Sequence, residues 1–272
     1  VDKFRKSVNS ILSNTCLRKN NYGVKIYSLD RGETLYEIRS KQLFIPASNA
    51  KVLTTAVALK YLGSNYRFST EFYTDGILEN ETLKGNLYIK GSGDPKLVTE
   101  QLWLIVNELR NLPIKKIKGN IIADDSFFDK QKRIKTWIKN PGAQAYEAPL
   151  GALSFNFNTV KVYVSPGGKV GDRPGIVIEP ENEYIKLENN AQTLRPGKRR
   201  RLIVNRVDKK DHDLITVSGG INIGQPRAHY FLNITNPTQY ALSVFKSYID
   251  LSGISFDGQL QRGKVPGDAM EL

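Results

Sequence analysis

The hydrophobic pattern of the first 63 residues predicts two helices around a hairpin. Residues 2–14 place apolar side chains at helical spacing, which predicts an amphipathic helix. Residues 22–40 contain two strand-like runs around an Asp30-Arg31-Gly32 turn, which predicts an antiparallel hairpin. Residues 51–62 are apolar nearly all round, so we expect a buried helix there, shortly after Pro46.

Beyond residue 67 the pattern changes to short alternating runs between turn residues, which predicts strands. The runs are RFSTEFYTD, GNLYIKG, GNIIADD, NTVKVYVSPGG, PGIVIEP, EYIKLE, RRLIVNRV and HDLITVSGG. One helix interrupts them, from about Pro95 to Arg110. A last helix is predicted over residues 237–252, with Asn236 as its N-cap and Gly253 as its stop.

This order of elements predicts an α+β protein of more than one domain. Natural boundaries fall near Arg67 and Arg227. We therefore expect one domain formed from the two chain ends, residues 1–67 and 228–272, with the β-rich residues 68–227 inserted between them.

Composition narrows the partners and the chemistry. Forty Lys and Arg against 27 Asp and Glu give a net charge of +13, which favours anionic surroundings such as nucleic acid, anionic lipid or an acidic wall polymer. One cysteine excludes an internal disulfide, and two histidines without ligand spacing predict no metal site and no cofactor. No apolar run reaches 18 residues, so we expect no membrane span.

Ser48 and Lys51 are the candidate catalytic pair. Three residues along a helix place them on nearly the same face, and the positive end of the helix favours an oxyanion near the serine. If the helix is buried, desolvation lowers the pKa of the lysine, as a general base for serine requires. The alternative is that Ser48 only caps the helix while Lys51 extends to water.

A family resemblance bears on this choice. PASNAKVLTTAVAL resembles the Ser-x-x-Lys segment of the penicillin-recognising acyl-serine transferases. More narrowly, the chain resembles the D-alanyl-D-alanine carboxypeptidase/endopeptidase family, the class C low-molecular-mass penicillin-binding proteins. The stretches that carry the match, in order, are YSLDRGETLYEIRSKQLFIPASNAKVLTTAVALKYLG, LYIKGSGDPKL, IKGNIIADDSFFD, YEAPLGALSFNFNTVKVYVSPG and ITNPTQYALSVFKSYIDLSGISFDGQLQRG.

The resemblance implies a transpeptidase-like, serine β-lactamase-like domain with two small, mostly β subdomains inserted into it. It implies that Ser48 attacks a D-alanine carbonyl of a peptidoglycan stem peptide, that Lys51 accepts its proton, and that β-lactams acylate Ser48. It also implies an aspartate that recognises the stem's diamino acid, with Asp124 the best-aligned candidate and Asp125 the alternative. A turn role for both aspartates stays open. The implied location is the periplasm or the outer cell envelope.

The sequence departs from the family pattern in one respect. The family's later Ser-x-Asn segment is not found after residues 237–252, and Lys-Thr-Gly occurs nowhere in the 272 residues. Ser154-Phe155-Asn156 fits Ser-x-Asn literally but lies in a different stretch of the resemblance. We therefore expect the chain as given to be truncated and inactive, or, alternatively, a non-catalytic wall-binding or scaffolding paralogue.

Residues 195–210 form the densest basic stretch, RPGKRRRLIVNRVDKK. No aromatic residue is interleaved with the basic ones, so the stretch does not indicate nucleic-acid binding. A solvated hairpin with charged faces is the simplest interpretation, and binding of an anionic wall polymer is the functional alternative.

Overall fold

The computed structural model describes residues 2–13, 21–134, 142–198 and 200–272, and Cys16 lies outside them. The chain divides into two compact units, Val1–Tyr66 and Arg67–Leu272. Both units mix helices with antiparallel strands, and the second also contains parallel pairs. No helix of the described residues is long and apolar enough to cross a bilayer.

The first unit contains the predicted helix and hairpin. Its elements are α1 Asp2–Leu12, β1 Val24–Ser28, β2 Glu33–Ile38, a 3-10 turn Ala47–Asn49 and α2 Ala50–Leu62. The turn of the hairpin includes Gly32, whose φ of +65° lies in the left-handed region that favours glycine. Tyr36 of β2 is the one buried residue among the described residues of this unit, and its hydroxyl donates to Asn9 Oδ1 at 2.7 Å.

Helix α2 forms where the pattern predicts, but the prediction that it is buried is wrong. It contains no buried residue, and Val52 and Leu53 are 73% and 70% exposed. Among the described residues of this unit, the sheet consists of the two strands β1 and β2. An apolar helix needs an apolar surface opposite it, and the described part of this unit does not provide one.

The second unit holds the main core and several small sheets. Its helices are α3 Thr99–Asn111 and α4 Pro237–Leu251. Its strands are β3 Thr70–Thr74, β4 Ile77–Glu79, β5 Thr82–Lys84, β6 Leu87–Gly91, β7 Lys116–Lys118, β8 Ile121–Asp124, β9 Thr159–Ser165, β10 Gly175–Glu179, β11 Ile185–Asn189, β12 Gln192–Leu194, β13 Ile203–Lys209, β14 His212–Ser218, β15 Gly220–Asn222, β16 Ala228–Asn233, β17 Ser255–Phe256, β18 Leu260–Arg262 and β19 Met270–Glu271.

The largest sheet has the strand order β18-β8-β6-β3-β19, and a second sheet has the order β17-β7-β5-β4. Three smaller sheets have the orders β10-β9-β16, β11-β14-β13 and β12-β15. Each of the eight alternating runs of the sequence contains one of these strands, so the strand predictions are confirmed.

Helix α4 is the best-buried helix of the second unit. Its N-cap, Asn236, accepts a hydrogen bond from Gln239 N, as the Asn-Pro start predicts. Tyr240, Val244 and Ile249 are fully buried on its inner side. The helix packs against β8 and β18 of the largest sheet and against β17 of the second sheet.

Residues 228–272 make contacts within the second compact unit. Strand β16 pairs with β9, and α4 packs on β8, so these residues belong to the second compact unit. The prediction had joined them to residues 1–67, because the two ends flank the β-rich middle. A domain formed from both chain ends stays a prediction.

Helix α3 begins four residues later than the sequence pattern indicates. Asp94 Oδ1 accepts a hydrogen bond from Lys96 N, which forms a turn at the predicted start. The side chain of Asn156 then accepts from Thr99 N at 3.0 Å and donates to Thr99 Oγ1. This long-range cap fixes the first helical residue, and no local pattern could reveal it.

Candidate active site

Ser48 and Lys51 are in direct contact. The 3-10 turn Ala47–Asn49 carries the serine, and the first turn of α2 carries the lysine. Lys51 Nζ donates to Ser48 Oγ at 3.1 Å. The serine hydroxyl and the amine are thus within the distance that proton transfer between a nucleophile and its base requires.

Ser48 does not act as a helix cap. Neither Pro46 nor Asn49, the residues that flank the 3-10 turn and α2, makes a side-chain capping bond. Ala47 has a φ of +44°, in the left-handed region that an alanine adopts at a cost of about 1–3 kcal/mol. Ser48 therefore contacts Lys51 and does not act as a helix cap. The strained residue, Ala47, directly precedes it.

The pair is exposed to solvent. Ser48, Lys51 and their neighbours on α2 are all exposed, because the helix has no covering surface among the described residues of its unit. The predicted desolvation of Lys51 is therefore absent from this structure. What the structure provides is the contact of the two side chains at the amino end of a helix, whose positive potential favours an oxyanion.

Asp124 is a buried carboxylate at the end of β8. Its Oδ1 accepts from Ser126 N and its Oδ2 accepts from Val265 N, both at 2.9 Å. Burial raises the pKa of this carboxyl, but the hydrogen bonds from Ser126 and Val265 outweigh it, so the pKa of Asp124 lies below its ordinary value. These bonds join β8 to the segment after β18, which corresponds to the turn role left open by the sequence.

Asp125 is also buried and contacts a cavity. Its Oδ1 accepts from Arg262 Nε at 2.7 Å, and its Oδ2 accepts from Thr238 Oγ1. The cavity has a volume of about 420 Å³, and Phe127, Phe128 and Asp125 are among its lining residues. Of the two adjacent aspartates, Asp125 is therefore the one that lines a space where a ligand could bind.

Two cations near Asp125 were not found by sequence reasoning. Arg262 and Lys132 line the same cavity. Burial and the charge of Arg262 lower the pKa of Lys132, and Asp125 partly opposes this change. Arg262 is 137 residues away from Asp125 in the sequence. Only the pairing of β18 with β8 brings Arg262 beside Asp125, so no sequence signal could have identified it.

Ser154 and Asn156 have structural partners. Ser154 Oγ donates to Gly151 O at 2.9 Å and accepts from Asn158 Nδ2 at 3.0 Å. Asn156 caps α3 through Thr99, as described above. These contacts agree with the interpretation that Ser154-Phe155-Asn156 only coincidentally matches Ser-x-Asn. Within the residues that the structure describes, no three His, Cys, Asp or Glu side chains are grouped as a metal site would require.

The described fold is similar to that of a protein whose structure has been solved. It is similar to the crystal structure of penicillin binding protein 4 (dacB) from Haemophilus influenzae, with a TM-score of 0.76, 22% identity and coverage of 92% of this chain and 55% of that chain. A second structure of that protein, complexed with a novel β-lactam, gives a TM-score of 0.69 at 21% identity, with coverage of 92% of this chain and 53% of that chain.

Sequence comparison gives the family. Residues 4–272 match the D-Ala-D-Ala carboxypeptidase 3 (S13) family, and the chain belongs to it. It is 26% identical to a D-alanyl-D-alanine carboxypeptidase of Actinomadura sp. (strain R39), over 98% of this chain and 50% of the relative. It is 24% identical to the penicillin-sensitive carboxypeptidase A of Dictyostelium discoideum, over 91% of this chain and 52% of the relative.

These findings confirm the predicted family and the multi-domain α+β fold class. The chain spans about half the length of the curated relatives that it matches. The individual roles of Ser48, Lys51 and Asp124 are not tested by them and stay predictions.

Proposed function

We propose that Ser48 is the nucleophile of a serine D-Ala-D-Ala carboxypeptidase or endopeptidase, with Lys51 as its general base. The observation that carries the proposal is the 3.1 Å contact between Lys51 Nζ and Ser48 Oγ at the amino end of a helix, in a chain of the carboxypeptidase family. Membership of that family supports peptidoglycan stem peptides as substrates and β-lactams as covalent inhibitors, and a cell-envelope location follows from such a substrate.

The proposed reaction has two steps. Lys51 takes the proton of Ser48 Oγ as the oxygen attacks the carbonyl carbon of the penultimate D-alanine. The bond from that carbon to the nitrogen of the last residue breaks, Lys51 returns the proton to the leaving amine, and an ester remains on Ser48. Water then attacks the ester, which releases the shortened peptide and restores the serine hydroxyl.

A fluorescent penicillin tests the role of Ser48. The probe is incubated with this chain and with any longer natural chain that contains it, and the labelled peptide is mapped by mass spectrometry. We expect label on Ser48 and none after Ser48→Ala, while Ser154→Ala is the matched control and keeps the label. Absence of label from every form, or label that survives Ser48→Ala, would overturn the assignment.

Lys51 is tested by the rate of the same acylation. General-base catalysis contributes a factor of about 10²–10⁴, so Lys51→Ala should slow the labelling of Ser48 by that order. Lys60→Ala, on the same exposed helix, should leave the rate unchanged. Equal rates in the two variants would remove Lys51 from the mechanism.

We further propose that the 272 residues alone turn over substrate very slowly. No Lys-Thr-Gly or Lys-Ser-Gly occurs in them, so the lysine that holds the substrate carboxylate in the family is missing. Loss of one group that stabilises the oxyanion costs about 10²–10³ in rate. Release of D-alanine from a D-Ala-D-Ala peptide measures this, and fast release that disappears in Ser48→Ala would contradict it.

Recognition of the diamino acid is the last part of the proposal. We assign it to Asp124, with Asp125 as the alternative that the cavity supports. Removal of the responsible carboxylate should raise KM about tenfold for a peptide with a free side-chain amine and leave the acetylated peptide unaffected. Asp124→Asn and Asp125→Asn are compared with both peptides, and an equal effect on both peptides would indicate a purely structural role.

A further inference from the structure

Four cationic side chains line one cavity of the second unit. The cationic cavity, as we call it, has a volume of about 640 Å³ and is lined by Lys198, Arg200, Arg201 and Arg227, together with Asn222 and Gln225. Its described lining includes no aspartate or glutamate. The basic stretch of the sequence therefore does not simply spread its charges over a hairpin, because three of its cations line the same cavity as Arg227, which lies just before β16.

The four cations have no acidic partners within the described residues. The ion pairs of that part of the chain include none of them. Arg206, from the same basic stretch, shows the contrast. Its guanidinium is buried, lies 3.7 Å from Asp213 and donates to Asn233 Oδ1 at 3.0 Å. Arg206 is thus part of the core, whereas the four cations of the cavity keep their charge available to a ligand.

An aromatic ring holds Arg227 in place. The Cζ atom of Arg227 lies 3.5 Å from the centroid of the Tyr163 ring, and Lys161 Nζ lies 4.5 Å from the same centroid. Such cation–π contacts fix a guanidinium at a smaller loss of side-chain entropy when a ligand binds. Because two cations stand over this ring, Tyr163 is not a free platform for stacking of a nucleic-acid base.

The backbone around the cavity is also held. Strands β12 and β15 pair in parallel, and Ile223 N donates to Leu194 O at 2.8 Å directly beyond them. Asn222 N donates to Gln225 Oε1 at 2.9 Å, and Lys198 N closes a turn onto Arg195 O. These bonds fix the backbone at Lys198 and Asn222, two of the residues that line the cavity.

We propose that the cationic cavity binds a flexible polymer that carries phosphate groups and no bases. Guanidinium groups match phosphate oxygens in paired hydrogen bonds, and several cations in one cavity suit a chain with a charge on every short repeat. A polysaccharide with one carboxylate per disaccharide spaces its charges further apart. The proposal does not rest on the peptidase activity proposed for Ser48.

Binding of long-chain inorganic polyphosphate tests this site. The Arg200→Gln/Arg201→Gln variant should lower the affinity about tenfold or more, since charge-assisted hydrogen bonds are lost. It should also reduce the slope of log K against log salt concentration by about two, one for each phosphate contact removed. The control, Arg110→Gln/Lys210→Gln, removes the same charge from exposed positions elsewhere and should change the affinity less than about threefold.

One further variant tests the role of Arg227, and competing ligands identify the class of ligand that the cavity binds. Arg227→Lys keeps the charge but loses the flat contact with Tyr163, so we expect weaker binding with an unchanged salt slope. Equal losses in the site and control variants would show a net-charge effect alone and overturn the proposal. Tighter binding of single-stranded DNA or hyaluronate than of polyphosphate would also overturn the proposal. So would competition by inorganic phosphate that is as strong as competition by the polymer at the same phosphate concentration. Far-UV circular dichroism verifies that each variant is folded.

Discussion

Two adjacent aspartates with different surroundings show what residue-level chemistry the fold adds to the sequence. The letters ADD identify Asp124 and Asp125 as candidates, but not which one faces a cavity. Strand alternation places neighbouring side chains on opposite faces, and the strand ends at Asp124. Asp124 accepts two backbone N–H groups, while Asp125 binds Arg262 and lines the cavity.

Replacement of Asp124 by asparagine should destabilise the second unit by about 1–3 kcal/mol at neutral pH, because one buried N–H loses its acceptor. The folded pKa of Asp124 is depressed, so its contribution is present above the unfolded pKa of about 3.9 and is lost as the pH falls through the lower folded value. Urea denaturation at neutral pH and at about pH 3 measures both effects.

The control for this prediction is Asp129→Asn. Asp129 is exposed and accepts only the local bond from Gln131 N, so its replacement should change the free energy of unfolding by less than about 0.5 kcal/mol. If the difference between Asp124→Asn and the parent chain did not shrink on acidification, the stabilising role of the Asp124 charge would be refuted.

At the scale of elements, the hydrophobic pattern predicts the type and position of a helix or strand better than it predicts whether that element is buried. It locates α2 and α4 almost to the residue, since both depend on local spacing and capping. It cannot reveal that α2 is uncovered, because burial is decided by what packs opposite. The short strands β17, β18 and β19 were missed for a similar reason: they are two or three residues long and are defined only by distant partners.

The same limits apply to the candidate site. Ser48 and Lys51 could be found from the sequence, because their contact is set by three residues of helical spacing. Arg262 and Lys132 could not be found, because the first reaches Asp125 through strand pairing and the second lies after β8 in neither a helix nor a strand.

Replacing one leucine by alanine in each of two helices tests whether α3 is buried and α2 is exposed in solution. Leu102 of α3 is 3% exposed, so Leu102→Ala should lower the free energy of unfolding by about 2–5 kcal/mol. Leu53 of α2 is 70% exposed, and Leu53→Ala should cost less than about 0.5 kcal/mol. Denaturant titration compares the two, and a loss for Leu53→Ala as large as that for Leu102→Ala would show that α2 is covered in solution.

The start of α4 offers a second test on an element. Asn236 Oδ1 accepts from Gln239 N and from Lys132 Nζ, so Asn236→Ala should destabilise the second unit by about 0.5–2 kcal/mol. Asn236→Asp keeps the acceptor and adds a charge that favours both the helix terminus and Lys132, so it should retain the stability of the parent chain. A neutral alanine variant would mean that the cap contributes nothing.

On the scale of the whole molecule, stability is concentrated in the second unit. The main cluster of buried apolar residues runs from Leu83 to Ile254 and lies entirely within Arg67–Leu272. The described residues of the first unit bury only Tyr36. Domains with a sizeable core unfold cooperatively, and those without one do not.

A fragment of residues 67–272 should therefore fold by itself. We expect a cooperative thermal transition by circular dichroism close to that of the main transition of the 272-residue chain. A fragment of residues 1–66 is the matched comparison and should melt without a cooperative step. A non-cooperative melt of the larger fragment would contradict the division into two units.

The antiparallel pair of β3 and β19 has a consequence for the architecture of the second unit. Met270 lies opposite Thr74, and Leu272 N donates to Phe72 O at 2.9 Å, so the first and last strands of the unit are neighbours in one sheet. A unit whose entry and exit points adjoin can be spliced into a loop of another fold with little distortion of that host. By the same geometry, a short linker could join its two ends in a circular permutant, with new termini opened at a surface turn.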